Sequence, residues 1–205
     1  MSAPVIYTIG HSTHAIAYFL ELLSHYGVTC VADVRSMPAS RFNPQYNKKA
    51  LAKSLESIGL KYVHFGDAFG ARQTDRALLN QGGFVDFEKV RNTEKFKNAI
   101  EELHTRSGAG DTLALMCSEA DPLTCHRFVM ISVNLKAFEV RHILKDMSFV
   151  TQEELERDLL ASFETKTGQT MMFEGAASDA EKLAIAYRMM NQKIAYTPPP
   201  RKLPM

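Results

Sequence analysis

The strongest constraint on the fold of this chain is a pattern that occurs twice in its first 65 residues. An apolar run, a stretch with apolar residues at helical spacing, and a glycine follow one another, and each time another apolar run comes next. The apolar runs lie at residues 5–9, 28–34 and 61–65, and the glycines are Gly27 and Gly59. Strands that alternate with helices in this way form βαβ units with parallel strands and right-handed crossovers.

Further strand patterns occur at residues 112–117 and 140–144, and helical spacing at 93–105 and 126–138. Between the third and fourth strands, residues 66–92 are rich in glycine and are predicted to be an irregular loop. The sequence therefore predicts an α/β fold: a Rossmann-like, three-layer domain with a mostly parallel sheet of about five strands and additional C-terminal helices. Ser12 or Thr13 and Asn47 stand where helix caps are expected.

The pattern changes after the fifth predicted strand. Two segments, Thr151-x-x-Glu154 and Ser178-x-x-Glu181, have the spacing of a capping box and precede apolar residues at helical spacing. The end of the chain is rich in proline and is expected to be an extended tail. We expect residues 1–163 to form the α/β domain. Residues 164–205 are expected to form a helical extension and tail that packs on, or trails from, that domain.

Composition and charge exclude several classes of function. Lysine and arginine number 24 and aspartate and glutamate 23, so the net charge of +1 excludes a uniformly basic nucleic-acid coat protein. Three cysteines are too few for a disulfide scaffold. No segment approaches the ~20 apolar residues of a membrane span, and the first residues lack the features of a signal peptide. We therefore expect no membrane partner and a cytoplasmic protein with reduced thiols.

Ligands of an open parallel sheet bind beyond the carboxyl ends of its strands, and polar residues collect at those ends here. The candidate ligand-binding residues are Gly10, His11, Ser12, Arg35, Ser40, Arg41, Arg72, Cys117 and Arg127; the candidate catalytic residues are Asp33, Glu119, Cys125 and His126. Asp33 and Arg35 share a strand face, so a structural ion pair is the alternative to a role in the site.

The segment from Cys117 to Arg127 contains two of the three cysteines, and the third, Cys30, lies inside a predicted strand. Seven residues separate Cys117 from Cys125, which is not the Cys-x-x-Cys spacing of metal and redox sites. A thiol beside a histidine and an arginine at a helix N-terminus has a lowered pKa and favours an anion nearby. Burial of both cysteines in the core is the alternative, and we assign no metal ligand from the sequence.

Residues 34–55 form a basic stretch that contains five lysines and arginines and no acidic residue. Phe42 and Tyr46 lie among them. Cations interleaved with aromatic rings suit a phosphate backbone with stacked bases. An ordinary solvated basic face is the alternative.

Four motifs occur in order along the chain: Thr8-Ile-Gly-His-Ser-Thr13, Val31-Ala-Asp-Val-Arg-Ser-Met-Pro-Ala-Ser-Arg41, Gly70-Ala-Arg72 and Met116-Cys-Ser-Glu-Ala-Asp-Pro-Leu-Thr-Cys-His-Arg127. Together they resemble the bacterial and archaeal family of domains of unknown function numbered 488, from residue 5 to about residue 160. The resemblance implies a Rossmann-like domain and marks most of the candidate residues as family-motif positions. The family commonly has Gly-Gly-Arg where this chain has Gly-Ala-Arg, and it implies no particular reaction.

We expect a hydrolase or group transferase that binds a phosphate-bearing ligand, such as a nucleotide or a nucleic-acid end. We expect Arg35, Arg41 and Arg127 to bind anionic oxygens. Asp33 or Glu119 is expected to act as general base, and His126 or His11 as acid or orienting group. Cys125 is the expected nucleophile. Two alternatives stay open: a non-catalytic module for single-stranded nucleic acid, and a thiol or metal site on Cys117, Cys125 and a histidine. No cofactor motif is present, and the sequence assigns no cofactor and no oligomeric state.

Overall fold

The computed structural model describes residues 3–167 and 178–199. Its strands are β1 (Val5–Gly10), β2 (Cys30–Asp33), β3 (Lys61–His64), β4 (Leu113–Cys117), β5 (Glu139–Ile143) and β6 (Phe149–Thr151). They form one sheet in the order β3-β2-β4-β1-β5-β6. The first five strands are parallel and β6 is antiparallel to β5. The predicted α/β class with a mostly parallel sheet is confirmed, and β6 adds a strand that the sequence patterns did not predict.

The described helices include long ones that cover the sheet and several short ones between strands. The α-helices are α1 (Ile16–His25), α2 (Lys48–Glu56), α3 (Gly66–Phe69), α4 (Phe87–Arg91), α5 (Glu94–Gly108), α6 (Gln152–Thr167) and α7 (Asp179–Ile194). A π-helical turn, Arg127–Ile131, and a 3₁₀ turn, Ser132–Asn134, occupy the start of the helix predicted at 126–138. That helix therefore ends earlier than expected, and the predicted loop at 66–92 contains α3 and α4.

Two apolar cores cover the two faces of the sheet and give the molecule its three layers. One core joins alternate strand residues such as Val31 and Met116 to the apolar faces of α1 and α2. The other joins their neighbours Ala32 and Leu115 to α5, α6, α7 and the π-helical turn. Burial on both sides explains why the central strand β4 is apolar along its whole length.

The direction in which the chain leaves each strand determines where a site can form. After β1 and β2 the chain passes to α1 and α2 on one face, whereas after β4 it passes to the π-helical turn on the other. Because β4 lies between β2 and β1, its carboxyl end is flanked on both sides by chains that leave in the opposite direction. Open α/β sheets bind ligands at such a switch point.

The helix caps agree with the sequence in some places and not in others. The capping box of Ser178 and Glu181 is confirmed, and Thr151 and Glu154 exchange the same kind of hydrogen bonds. The cap predicted at Ser12 or Thr13 is wrong, because α1 begins after Ala15, without a side-chain cap. Ser12 instead adopts a left-handed backbone (φ 46°), and its N–H donates to the carbonyl of Ser118 (3.0 Å).

The described part of the C-terminal extension packs on the same domain. The side chain of Asn191 on α7 donates to the carbonyl of Val85 (3.0 Å) and accepts from the N–H of Phe87 (2.9 Å). The carbonyl of Tyr196 accepts from the N–H of Val85 (2.9 Å). The domain boundary at residue 163 stays a prediction, and the end of the predicted tail lies outside the described residues. No described helix has both the length and the apolar surface needed to cross a membrane.

Candidate active site

The candidate site is built around the loop that follows β4. Cys117 is the last residue of the strand, and Cys125 and His126 immediately precede the π-helical turn. Between them the chain folds back, with the N–H of Cys125 donating to the carbonyl of Pro122 (3.1 Å). This bend brings Cys117 Sγ, Cys125 Sγ and a ring nitrogen of His126 within 4.8 Å of one another, although all three side chains are buried.

The ring of His126 is oriented toward both sulfur atoms. Its Nδ1 lies 3.7 Å from Cys117 Sγ and 3.8 Å from Cys125 Sγ, and its Nε2 lies 3.2 Å from the carbonyl oxygen of Val34. A carbonyl only accepts hydrogen bonds, so Nε2 carries a proton. In the neutral ring the lone pair of Nδ1 therefore points between the two cysteines.

The two cysteines have opposite pKa shifts. The hydrogen bond from Cys125 lowers the pKa of Cys117 well below its usual value, and the charges of His126 and Arg127 lower it further against the opposing effect of burial. Burial and the neighbouring Cys117 raise the pKa of Cys125 well above its usual value. For His126, burial favours the neutral ring, but the charge and hydrogen bond of Cys117 outweigh it and the pKa is raised. Of the two cysteines, Cys117 is therefore the one that ionises more readily.

A second group of buried polar residues lies beside this cluster. Arg35 forms a bidentate ion pair with Asp33, with Nε 2.8 Å from Oδ1 and Nη2 2.6 Å from Oδ2. Its Nη2 also donates to the carbonyl of Tyr46 (2.8 Å), and its Nη1 to Nε2 of His11 (3.1 Å). The hydroxyl of Tyr62 donates to Oδ2 of Asp33 (2.8 Å). These contacts fix the guanidinium of Arg35 in one position.

His11 is held as a neutral ring in this group. Its Nδ1 lies 2.8 Å from the carbonyl oxygen of Ser12, so Nδ1 carries the proton and Nε2 accepts from Arg35. Its ring stacks on Tyr46 with centroids 4.0 Å apart. Burial lowers the pKa of His11, and the charge of Arg35 adds to that effect against the opposing hydrogen bond to Ser12.

A cavity of ≈ 540 Å³ connects the two groups. The predicted site residues on its wall are Arg35, Ser40, Arg72, Cys117, Glu119, Cys125 and His126. Glu119 and Arg72 are exposed, whereas Arg35 and the cluster of cysteines and histidine are buried behind them. The cavity thus has charged groups at its mouth and sulfur and imidazole atoms on its floor.

The remaining predicted residues lie away from the cavity wall. Asp33 is fully buried and both of its oxygens accept from Arg35 or Tyr62, so it is not free to act as the base that the sequence suggested. A Cβ on Gly10 would collide with the carbonyl oxygen of Glu119, so this glycine allows the loop after β4 to approach β1. His11 accepts a hydrogen bond from Arg35, and the N–H groups of His11 and Ser12 donate to carbonyls at the start of the loop after β4.

The structure places two arginines differently from the expected role of binding ligand oxygens. Arg127 is fully buried, and its guanidinium donates to the carbonyls of Glu119 (2.6 Å) and Ala120 (3.0 Å). It therefore holds the loop after β4 and is not available to a ligand. Arg41 is exposed and is not part of the cavity wall.

Two tyrosines of the candidate site, Tyr62 and Tyr196, were not predicted from the sequence, and Tyr46, predicted as a ring of the basic stretch, is instead buried there. Tyr46 and Tyr62 support His11 and Asp33, and Tyr196 lies on the cavity wall below Arg72, whose guanidinium carbon is 5.7 Å from the ring centroid. The parallel register, which pairs Asp33 with His64, puts Tyr62 on the same face as Asp33. Nothing in the sequence around Tyr196 indicates that the C-terminal segment folds back to the sheet edge.

Comparisons with known proteins give one match. Neither the curated proteins nor the solved structures contain a match to this chain. Residues 15–133 match the family described as "Domain of unknown function DUF488". The match covers more than half of the chain and includes Asp33, Arg35, Arg72 and the loop after β4, whereas His11 lies outside it. The resemblance stated from the motifs is thereby confirmed, and the chain belongs to the DUF488 family.

Proposed function

We propose that this protein is an enzyme, a hydrolase or group transferase, that acts on a phosphate-bearing ligand in the cavity at the end of β4. The supporting observation is that cationic and reactive side chains share the wall of one cavity. A phosphate group needs fixed cationic donors, and the reaction needs a nucleophile or a metal together with a base. Both sets of groups line the same cavity of ≈ 540 Å³.

Arg35 is the principal anion-binding residue in this proposal. Its contacts to Asp33, Tyr46 and His11 leave one N–H of Nη1 without a partner among the described residues. Because these contacts orient the guanidinium before a ligand arrives, little conformational entropy is lost when this N–H donates to a phosphate oxygen. Arg72, exposed at the mouth of the cavity, adds a second positive charge.

Glu119 is the general base in this proposal, since Asp33 is committed to Arg35. Its exposed carboxylate stands on the cavity wall, where it can accept a proton from an attacking water or hydroxyl group. Cys117, Cys125 and His126 form the reactive end, because a thiolate is both a nucleophile and a metal ligand. This chemistry needs reduced cysteines, which a cytoplasmic location provides.

The experiment compares ligands that differ only in a phosphate. Thermal unfolding is followed with inorganic phosphate, a nucleoside and its 5′-monophosphate, and an oligonucleotide with and without a 5′-phosphate. We expect stabilisation by the phosphorylated members, and an affinity about tenfold or more lower in Arg72→Gln, because a charge-assisted hydrogen bond is lost. With a substrate in hand, Glu119→Gln is expected to lower kcat by about 10²–10⁴.

Arg41→Gln is the matched control, because Arg41 is an exposed cation just outside the cavity wall. It should leave both readouts unchanged. Equal stabilisation by the phosphorylated and unphosphorylated ligands, or an equal loss of affinity in Arg41→Gln and Arg72→Gln, would contradict the proposal.

A specific surface feature favours a second candidate function, the binding of single-stranded nucleic acid without catalysis. The ring of Phe42 is 94% exposed, and Arg41, Lys48 and Lys49 of the same basic stretch are exposed as well. An exposed ring among cations can stack on a base while the cations contact phosphates. This function predicts salt-dependent binding of an unphosphorylated oligonucleotide that Phe42→Ala weakens and Glu119→Gln does not.

A further inference from the structure

We propose that Cys117, Cys125 and His126 form a zinc site whose fourth coordination position opens into the cavity. The ligands are the two Sγ atoms and Nδ1 of the histidine. The use of the fourth position by a substrate rests on the proposed function, whereas metal binding itself does not.

The distances between the ligand atoms fit a tetrahedral zinc ion. Zinc–sulfur bonds of about 2.3 Å and zinc–nitrogen bonds of about 2.0–2.1 Å put sulfur and nitrogen about 3.6 Å apart at the tetrahedral angle. The observed separations from Nδ1 are 3.7 Å to Cys117 Sγ and 3.8 Å to Cys125 Sγ. All three ligand atoms lie within 4.8 Å of one another, close enough to share one ion.

A backbone carbonyl beside the cluster favours the histidine tautomer that a metal requires. The carbonyl of Val34, just beyond β2, accepts from Nε2 of His126 at 3.2 Å, so in the neutral ring the lone pair of Nδ1 is directed at the sulfurs. Histidine ligands of metals have this arrangement, with the second nitrogen donating to a carbonyl or carboxylate. Packing of two thiols in a core would not require a histidine between them.

The charge around the cluster also favours anionic ligands. Arg127 lies fully buried next to it, and its guanidinium has no ion-pair partner among the described carboxylates. A buried cation favours negative charge on neighbouring groups. Two thiolates and an imidazole are soft and borderline ligands that suit zinc and not magnesium or calcium.

The number of ligands indicates an open site. Within residues 3–167 and 178–199, no fourth histidine, cysteine or acidic side chain joins the three. Structural zinc sites have four protein ligands, whereas catalytic sites have three and leave one position for water or substrate. Since Cys117, Cys125 and His126 all line the cavity, that position faces the space assigned to the phosphate-bearing ligand.

Metal content of the full chain, purified without chelator under reducing conditions, tests the inference. We expect about one zinc per chain after reconstitution and removal of excess metal. Cys117→Ser, Cys125→Ser and His126→Asn should each lower the content to below about a fifth, since loss of one ligand leaves too few. Cys30→Ala is the control, because Cys30 is a buried cysteine of β2 outside the cluster and should retain the metal.

Cobalt binding to the unsubstituted chain keeps the test independent of whether a variant folds. After chelator treatment, Co²⁺ should give a saturable thiolate-to-metal absorption band and tetrahedral visible bands, and Zn²⁺ should abolish both. Absence of these bands, or equal metal content in Cys30→Ala and the cluster variants, would overturn the inference. Metal binding without stabilisation by phosphorylated ligands would support the zinc site and contradict the proposed function. Stabilisation by phosphorylated ligands without metal binding would support the proposed function and contradict the zinc site.

Discussion

At the residue scale, the ion pair of Asp33 and Arg35 decides how the cavity presents a positive charge. The sequence leaves open whether this pair is structural or catalytic, because residues two apart on a strand share a face in either case. The structure shows both side chains buried and Asp33 committed to Arg35 and Tyr62. The carboxylate therefore acts through the arginine, as a positioning residue.

Asp33→Asn should destabilise the protein strongly. The amide keeps the shape of the side chain but leaves the buried guanidinium without its counter-charge, so we expect the free energy of unfolding to fall by about 3–5 kcal/mol. Urea unfolding followed by circular dichroism measures this change. Tyr62→Phe is the control, because it removes one hydrogen bond to the same carboxylate and should cost about 1 kcal/mol. Equal losses in the two variants would contradict the role of the charge.

At the scale of the elements, the loop after β4 is positioned by contacts with β1. The N–H groups of His11 and Ser12 donate to the carbonyls of Cys117 (2.9 Å) and Ser118 (3.0 Å), and Arg127 holds the next two carbonyls from the other side. Close approach of the two backbones is possible only because Gly10 has no side chain. The positions of Cys117 and Cys125 therefore depend on backbone contacts of Gly10, His11 and Ser12 and on Arg127.

Gly10→Ala is expected to lower the free energy of unfolding by about 1–3 kcal/mol, because the added methyl group overlaps the carbonyl oxygen of Glu119 and the loop must move. Chemical denaturation of the two proteins gives the difference. Gly108→Ala serves as the matched control: apart from its chain neighbours and the backbone of its own helix, no atom lies within 4 Å of the added Cβ, and stability should rise by up to about 1 kcal/mol. A Gly10 variant as stable as the original chain would show that the loop can accommodate a methyl group at this position.

At the scale of the whole molecule, a chain of hydrogen bonds ties the sheet to both C-terminal helices. His142 of β5 contacts Thr8 of β1 through Nδ1 (2.8 Å) and Gln152 of α6 through Nε2 (3.0 Å). The amide of Gln152 donates in turn to the hydroxyl of Tyr187 on α7 (2.7 Å), which donates to Glu156 (2.8 Å). The described part of the extension is therefore bonded to the α/β domain through its interior.

This network predicts a loss of stability in mild acid. Burial, with the charge of Arg127, lowers the pKa of His142 from 6.5 to about 3. The unfolded chain therefore takes up a proton below about pH 6.5 that the folded chain takes up only near pH 3. Stability should fall between these values by up to about 1.4 kcal/mol per pH unit from this group, and should not change above pH 7 on its account.

Urea unfolding at pH 7.5, 6 and 5 measures this dependence in the original chain and in His142→Gln. The variant is expected to be less stable at pH 7.5 but to lose less on acidification, since its amide does not titrate. Identical slopes in the two proteins would show that His142 is not held neutral by the fold.

The fold class, and the edge of the sheet at which polar side chains collect, follow from the order of residues along the chain. Helical and strand spacing are local consequences of burial on one face or two, so they identify five parallel strands and the helices between them. The sixth strand and the π-helical turn were not predicted. Phe149–Thr151 is too short for a clear pattern, and Arg127–Ile131 is buried all round, which leaves no polar face to show its pitch.

Which of the polar residues at that edge lie together depends on the packing of distant segments. Sequence spacing could not reveal that Cys117, Cys125 and the ring of His126 meet, because the path of the loop between them depends on Gly10 and on the burial of Arg127. Nor could it show that Tyr196 reaches the cavity wall from the far end of the chain. Periodicity is a property of neighbours along the chain, whereas a site is a set of distances between segments, and packing alone fixes those distances.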